Sequence, residues 1–275
     1  MALYIRTNVA SLEAQRQLGK ASMDQATTFQ RLSSGFRINS SADDAAGLGI
    51  TESMNAQIRS YSVAERNSMD GISMAETADG AAGQLHDILA RLRELAVQSA
   101  NGSLQASDRA NVNTEFTNMR TEIDRIASVT TFNGVNLLGG AATTVNFQVG
   151  INVSANDVVG VQFGGVTATG LGVGTSAVDT VANSQASITA IDAAIATLTT
   201  AREGFGSAIN RMQVTIANVQ TMRTNLTAAH GRMKDVDVAE ESAKMARFQV
   251  LTQAGAAVLG QANQAPQLAL KLLQG

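Results

Sequence analysis

The chain has 275 residues, a formal net charge of −3, 4% aromatic residues with no tryptophan, and a single proline, Pro266. Such a balance supplies no basic face to neutralise a nucleic-acid backbone, and the absence of cysteine excludes disulfides and thiolate metal sites. Abundant Ala, Gln, Asn, Ser and Thr favour long helices packed through small residues, in one large domain or two smaller ones.

The N-terminal stretch MALYIRTNVASLEAQ has no long apolar core and carries Arg6 and Asn8 early, so it does not read as a cleaved secretory signal. The apolar-or-glycine run from Ala254 to Gly260 is far too short to span a bilayer. A route out of the cell would have to read something other than a cleaved signal. Residues 1 to about 35 read as helix, with Ile5, Val9 and Leu12 opening the apolar stripe and Leu18, Ala21, Ala26, Phe29 and Leu32 continuing it. Ser33 to Asp44 breaks the period with serine, asparagine and glycine, whose side chains or backbone freedom compete with helix. This reads as a structured loop, with Asp43 or Asp44 capping the next helix.

That helix starts with Ile50, Met54 and Ile58. It runs through Ala82, Leu85, Leu89, Leu92 and Ala96 to a stop at Asn101-Gly102. Ser107-Asp108 restarts a helix with the stripe Val112, Phe116, Met119, Ile123 and Ile126, and Thr131-Phe132-Asn133-Gly134 turns the chain. From Val135 to about Val178 glycines cluster and short alternating runs appear, Val145–Val149 and Val158–Phe163, which predict a β-hairpin. Gly170-Leu171-Gly172-Val173-Gly174 reads as a flexible connection. Helix resumes near Val181, with one stripe of Ile188, Ile191, Ile195 and Leu198. A longer one follows, made of Phe205, Ile209, Met212, Ile216, Val219, Met222 and Leu226.

The last forty residues carry a different seam. Val236, Ala239, Ala243, Ala246 and Val250 recur at three- and four-residue steps; the stripe then shifts by one residue to Leu251, Ala254, Val258, Ala262, Ala265, Leu268 and Leu272. Alanine buries little apolar area, so this reads as a helix that needs partners. The fold class is mainly α: strong helices and a small β region in the middle, weak helices at both ends.

Catalytic chemistry is not legible. His86 and His230 lie inside helical patterns with no second ligand at metal spacing, the Gly170–Gly174 run lacks a phosphate-loop lysine, and no nucleophile elbow occurs. Asp43-Asp44 opens a helix, where a cap is the ordinary role for a carboxylate. Neither an enzyme nor a cofactor is expected. Arg91, Arg93 and Glu94 read as a solvated face.

Four motifs, in order, resemble the bacterial flagellins. They are Arg31–Ser40 (RLSSGFRINS) followed by Asp43–Leu48 (DDAAGL), Arg91–Gly102 (RLRELAVQSANG), Phe132-Asn133-Gly134 with Leu137-Leu138, and Gln261–Gln267 (QANQAPQ) followed by Leu270, Leu272 and Leu273. The likeness covers roughly residues 1–140 and 180–275. Phe36 stands where leucine is usual, and Ser41 where the family often has alanine.

The resemblance implies a structural subunit that self-assembles into the flagellar filament. The resemblance further implies export in unfolded form by the flagellar type III apparatus and addition beneath a cap at the distal tip, hence an extracellular location. It implies an elongated rod: an inner coiled-coil layer (D0) from residues 1–42 and 232–275, and a helical layer (D1) from 43–231 with the hairpin at about 140–175. Little or no outer domain fits between. The polymerisation seam is expected to include Ile5, Val9, Leu12, Val250, Val258, Leu268 and Leu272, and the linker loop to be fixed by Arg31, Arg37, Asn39, Asp43 and Asp44. Implied partners are further copies of the chain, cap and hook–filament junction proteins, and an export chaperone at the C-terminal helix. A vertebrate innate receptor is implied as well, whose recognition in the family falls on the positions of Arg91, Leu95 and Glu115, positions that also contact neighbouring subunits. No membrane or nucleic-acid partner is implied. The competing reading is the hook–filament junction protein, a relative made in few copies; QANQAPQ and RELAVQSANG favour the filament subunit.

Overall fold

The computed structural model describes residues 7–274, with side chains through residue 264. Ile5 and the side chains of Leu268 and Leu272 lie outside the described residues. Helix α1 (Val9–Ser34) opens on Asn8, whose Oδ1 accepts the Ser11 N–H at 3.1 Å, and closes at Gly35, left-handed at φ 75°. Helix α2 (Ala45–Ser99) begins at Asp44, whose Oδ1 accepts the Gly47 N–H at 2.8 Å; Asp44, not Asp43, is the cap. Helix α3 (Ala106–Val129) follows the Asn101-Gly102 stop.

Strands β1 (Thr131–Phe132) and β2 (Val135–Asn136) pair about Asn133-Gly134, which sit at φ 47° and 79°. Both positive values are what a tight two-residue hairpin turn needs. Strands β3 (Thr143–Gln148) and β4 (Val158–Phe163) form the expected hairpin, antiparallel with Val145 opposite Val161. Helices α4 (Val181–Lys234) and α5 (Val238–Gln274) complete the fold.

Compactness divides the chain into two units, residues 57–224 and residues 1–56 with 225–275. These divisions fall inside α2 and α4, whereas the boundaries expected at 42/43 and 231/232 follow the loops that end the terminal helices. In residues 57–224, α2 and α4 run antiparallel. Tyr61 Oη lies 3.2 Å from Met222 Sδ, Glu65 accepts from Gln220 at 2.7 Å, Asp79 pairs with Arg202 at 2.7 Å, and Arg93 pairs with Asp192 at 2.7 Å.

Their buried positions follow a heptad. On α2 these are Ala64, Gly71, Ala78, Leu85, Leu92 and Ser99 on one line and Ser68, Ala75, Ala82, Leu89 and Ala96 on the next; on α4 they are Ser184, Ile191, Leu198, Phe205, Met212 and Val219. Small residues fill the first half of the α2 seam because large neighbours lie over it. A methyl on Gly71 would stand 2.7 Å from Met212 Sδ and 3.1 Å from the Phe147 ring of the hairpin. The Leu85–Leu95 half shares its core with Phe116 and Ile123 of α3 and with Phe163 of β4, which stacks on Phe205 at 5.5 Å between ring centroids. Each such fully buried side chain contributes about 1.5–3 kcal/mol.

The seam differs from the sequence reading at its ends. Ile50 and Met222 are exposed, and the buried positions near the start of α2 are Gly47 and Thr51.

The Gly170–Gly174 run is not a flexible connection. Leu171 and Val173 are buried, and their N–H groups donate to the Thr167 and Ala168 carbonyls at 2.8 and 2.9 Å. A methyl on Gly170 would meet the Gly165 carbonyl at 2.3 Å, so glycine serves close packing there. Polar side chains of α3 fasten the surrounding segment: Asp124 accepts the Ala168 N–H, Arg120 donates to the Ser176 carbonyl, and Asn113 accepts the Val178 N–H, all within 2.9 Å.

Candidate functional site

In the unit formed by the two terminal segments, α1 and α5 lie antiparallel. Asn8 Nδ2 donates to the Ala262 carbonyl at 2.7 Å, Ser11 Oγ donates to Asn263 Oδ1 at 2.7 Å, and Gly255 lies against Leu18. The facing positions form heptads: Ser11, Ala14, Leu18, Ala21, Gln25, Thr28 and Leu32 on α1; Glu241, Met245, Phe248, Thr252, Gly255, Leu259 and Ala262 on α5. Among the described residues of these two helices only Ser11, Thr28 and Glu241 are buried, and all three are polar.

The apolar stripe read from the sequence of α5 therefore points elsewhere. Val250 and Val258 stand 64% and 56% exposed, beside an exposed Leu251; on α1, Val9 and Leu12 are 64% and 57% exposed, and Met23 and Phe29 are exposed too. An apolar groove of about 640 Å³ runs along the pair, floored by Ala14, Leu18, Ala21, Leu251 and Ala254. The two helices thus touch each other with one face and leave a second apolar face uncovered, a combination characteristic of an interaction surface.

The loop after α1 is held by charge and by backbone pairing. Asp43 accepts from the Asn39 and Ser40 N–H groups, the Ser40 hydroxyl, and Arg31 Nη2 at 3.1 Å. Arg31 also lies 3.9 Å from buried Glu241 of α5, which Lys244 pairs at 3.1 Å; Arg31 Nε and Glu241 Oε1 are buried without a hydrogen-bond partner. Arg37 donates its N–H to the Lys234 carbonyl at 2.7 Å and its Nη2 to the Met233 carbonyl at 2.8 Å, which caps α4. The Val236 N–H returns to the Gly35 carbonyl, Asn39 Nδ2 reaches the Phe36 carbonyl, and Lys234 lies 5.3 Å over the Phe36 ring. Arg31 and the Asn39 backbone thus meet at Asp43, Arg37 ties the loop to the end of α4, and Asp44 caps α2.

Burial pushes the Asp43 carboxyl up, but the hydrogen bonds from Ser40, Arg31 and Asn39 together hold it below its ordinary value. A folded value below the unfolded one stabilises the fold above the ordinary carboxylate range. That contribution is lost as pH falls through the folded value. Asp43→Ala is expected to destabilise the terminal unit by about 1–2 kcal/mol, read as faster amide hydrogen exchange in α1 of the full-length protein. Asp43→Asn should also flatten the acid limb of its stability profile.

On α2, Arg91 bridges to α3 through Glu115 at 2.7 Å and to Glu94 at 2.9 Å. The hydrogen bond to Glu115, then that to Glu94, raises the affinity of the Arg91 guanidinium for its proton. Both partners are about half exposed, so this bridge is an accessible surface feature. Leu95 departs from the expected surface role: it is 1% exposed, on the core side of α2, and can support that surface only from beneath.

Sequence reasoning missed Arg109. Its guanidinium donates to the Ser99, Leu104 and Asn101 carbonyls at 3.0, 2.8 and 2.7 Å, and so fastens the α2–α3 loop. It also missed Glu65, which Arg223 and Gln220 hold together. Such pairs, distant in sequence, leave no periodic signal.

The bacterial flagellin N-terminal helical region model matches residues 5–143, and the C-terminal helical region model matches residues 188–273. The chain belongs to the bacterial flagellins. Flagellin of Halalkalibacterium halodurans is 40% identical over 274 residues, covering 99% of this chain and all of the relative. The flagellar filament 33 kDa core protein of Treponema phagedenis is 36% identical over 286 residues, with 99% and 100% covered. Flagellin D of Vibrio anguillarum aligns over 376 positions at 33% identity, so it carries residues this flagellin lacks; the present protein is of minimal form. The crystal structure of Bacillus cereus flagellin is similar at a TM-score of 0.50 and 32% identity, covering 60% of this chain and 94% of that one. This flagellin is a structural subunit of the flagellar filament, an extracellular polymer. Among the described residues, no helix is long and apolar enough to cross a membrane.

Proposed function

We propose that the uncovered faces of α1 and α5, with Val9 and Leu12 on one and Val250 and Val258 on the other, are the surfaces through which copies of this flagellin polymerise. What supports the reading is that two paired helices bury three polar side chains and leave Val9, Leu12, Met23, Phe29, Val250, Leu251 and Val258 exposed. The separate contacts of Arg31, Arg37, Asn39, Asp43 and Asp44 set the start of α2 against those helices. Residues 1–42 and 232–275 then serve as the inner layer and 43–231 as the outer one. The same apolar face of α5 suits an export chaperone that shields it before assembly, and the growing end meets cap and junction proteins.

Electron microscopy of purified protein added to filament seeds tests the polymer surface. Wild type should elongate the seeds. Val258→Asp should not, because an unpaired charge would be buried in the seam, while its core melts at the unchanged temperature. Normal elongation by Val258→Asp overturns the assignment. The receptor reading rests on the exposed Arg91–Glu115 bridge. Arg91→Ala should weaken the response of receptor-bearing reporter cells by about tenfold or more, the scale of a hot-spot arginine; equal potency would sink it.

A further inference from the structure

Two Asn-Gly pairs lie in exposed turns of this flagellin, and they differ in what surrounds them. Asn133-Gly134 forms the left-handed turn between β1 and β2, with both residues at positive φ. Among the described residues, nothing donates to the Asn133 amide oxygen, and no lysine or arginine reaches its backbone carbonyl. Asn101-Gly102 follows the end of α2. The Asn101 Oδ1 accepts the Ser103 N–H at 3.1 Å, and its backbone carbonyl accepts Arg109 Nη2 at 2.7 Å and the Leu104 N–H at 3.3 Å. Among the described residues, the Gly102 N–H makes no backbone hydrogen bond. A methyl built on Gly102 meets nothing within 4 Å.

We propose that Asn101-Gly102 is a self-modification site, at which Asn101 becomes aspartate and isoaspartate through a cyclic imide. Hydroxide removes the Gly102 amide proton, and the freed nitrogen pair attacks Asn101 Cγ, closing the ring with a new Cγ–N bond. The bond from Cγ to Nδ2 breaks, and Nδ2 leaves as ammonia with a proton drawn from water. Water then adds to either ring carbonyl and opens the imide, so the net change takes in one water and releases one ammonia, with no redox partner.

Each contact has a place in that sequence. The negative charge of the deprotonated Gly102 amide is shared with the Asn101 backbone oxygen, where the Arg109 guanidinium and Leu104 N–H already donate; fixed donors at a developing oxyanion lower its barrier. The Ser103 N–H polarises the Cγ–Oδ1 group under attack. The ring that this hydrogen bond closes also contains the Gly102 nitrogen, folding the side chain over its nucleophile. Glycine leaves that nitrogen unhindered. Arg109 is a positioning and charge-stabilising residue here. The product carboxylate faces it, and isoaspartate adds a backbone carbon to the α2–α3 loop that it clamps.

The test incubates the full-length protein at neutral pH and follows both sites by peptide mass spectrometry, with enzymatic methylation of isoaspartate as a second readout. Asn133 serves as an internal reference. Conversion at Asn101 should be about tenfold faster or more, the effect of a charge-assisted hydrogen bond made mainly to the reacting anion. Gly102→Ala, which fits without a clash, should suppress conversion at Asn101 alone. Arg109→Gln should slow Asn101 toward the Asn133 rate, and Arg109→Lys should restore part of it. A merely structural clamp gives the opposite sign, since a loosened loop reacts faster. Equal rates at the two asparagines, or an Arg109→Gln variant that converts Asn101 as fast as wild type or faster, overturns the proposal. If Arg109→Gln does not fold, Ser103→Pro replaces it: loss of the Ser103 N–H should slow Asn101 while Asn133 is unchanged, and an unchanged Asn101 rate counts against the site.

Discussion

A protease added to the free monomer is expected to remove both ends of the polypeptide and to stop near the Gly35–Asp43 loop and near Asp235, whereas the filament resists. Ordering a backbone costs about 1–2 kcal/mol per residue. The α1–α5 interface returns little against this: Ala14, Ala21, Gly255 and Ala262 and the polar Ser11, Gln25, Thr28, Glu241 and Thr252 hold most of its facing positions, and the larger Leu18, Leu32, Met245, Phe248 and Leu259 are only partly buried. An alanine methyl contributes only about 0.8 kcal/mol when buried, and the three buried side chains of the pair are polar. On the proposed polymer contacts, cover for Val9, Leu12, Val250 and Val258 comes from neighbouring copies, which would couple folding of the ends to assembly. Circular dichroism should accordingly show more helix in the filament than in the monomer. Ends that are equally protected and equally helical in both states would refute the coupling. So would a monomer that loses residues from its 57–224 core before its ends.

The same contrast explains which parts of the fold were legible in the sequence. The α2 and α4 seams could be read because Leu85, Leu89, Leu92, Ile191 and Leu198 differ sharply from the residues between them, and burial follows that difference. Asn101-Gly102 and Asn133-Gly134 end their elements where backbone chemistry says they must. The facing side of α5 was not legible. Alanine, valine and leucine occur on two faces of that helix, and a period cannot tell which face meets α1 and which remains for other copies. The family motifs singled out Arg31, Arg37, Asn39, Asp43 and Asp44 as one set, but what each of them holds needed geometry. Asp44 caps α2, while Asp43 turns back to Arg31 and the Ser40 backbone. The glycines at 170–174 misled because glycine permits both mobility and close contact. Only the buried Leu171 and Val173, with the Asp124 and Arg120 side chains that fasten the segment, decide between them.

The 57–224 unit should, in contrast, behave as a cooperative domain whose stability is concentrated where the helices and hairpin meet. Phe205 is 1% exposed, stacks on Phe163 of β4, and occupies the heptad position between Leu198 and Met212. Phe205→Ala removes the ring from both layers at once and leaves a cavity that helices of more than fifty residues cannot easily close. The expected cost is about 3–5 kcal/mol for the lost burial and cavity, with the loss of the ring pair a further contribution of about 1 kcal/mol. For a unit of this size, each kcal/mol lowers the melting temperature by about 2–4 °C, so calorimetry should show a drop of roughly 10 °C or more. Phe205→Leu keeps most of the volume and should fall by less than half as much. Because no proposed polymer contact is touched, the Phe205→Ala variant should still elongate seeds in the cold, yielding filaments that melt early. A drop below about 2 °C, the scale of an ordinary surface substitution, would mean that the hairpin and α4 do not share one core. Failure to elongate seeds while the monomer core remains folded would mean that Phe205 also shapes a surface used in assembly.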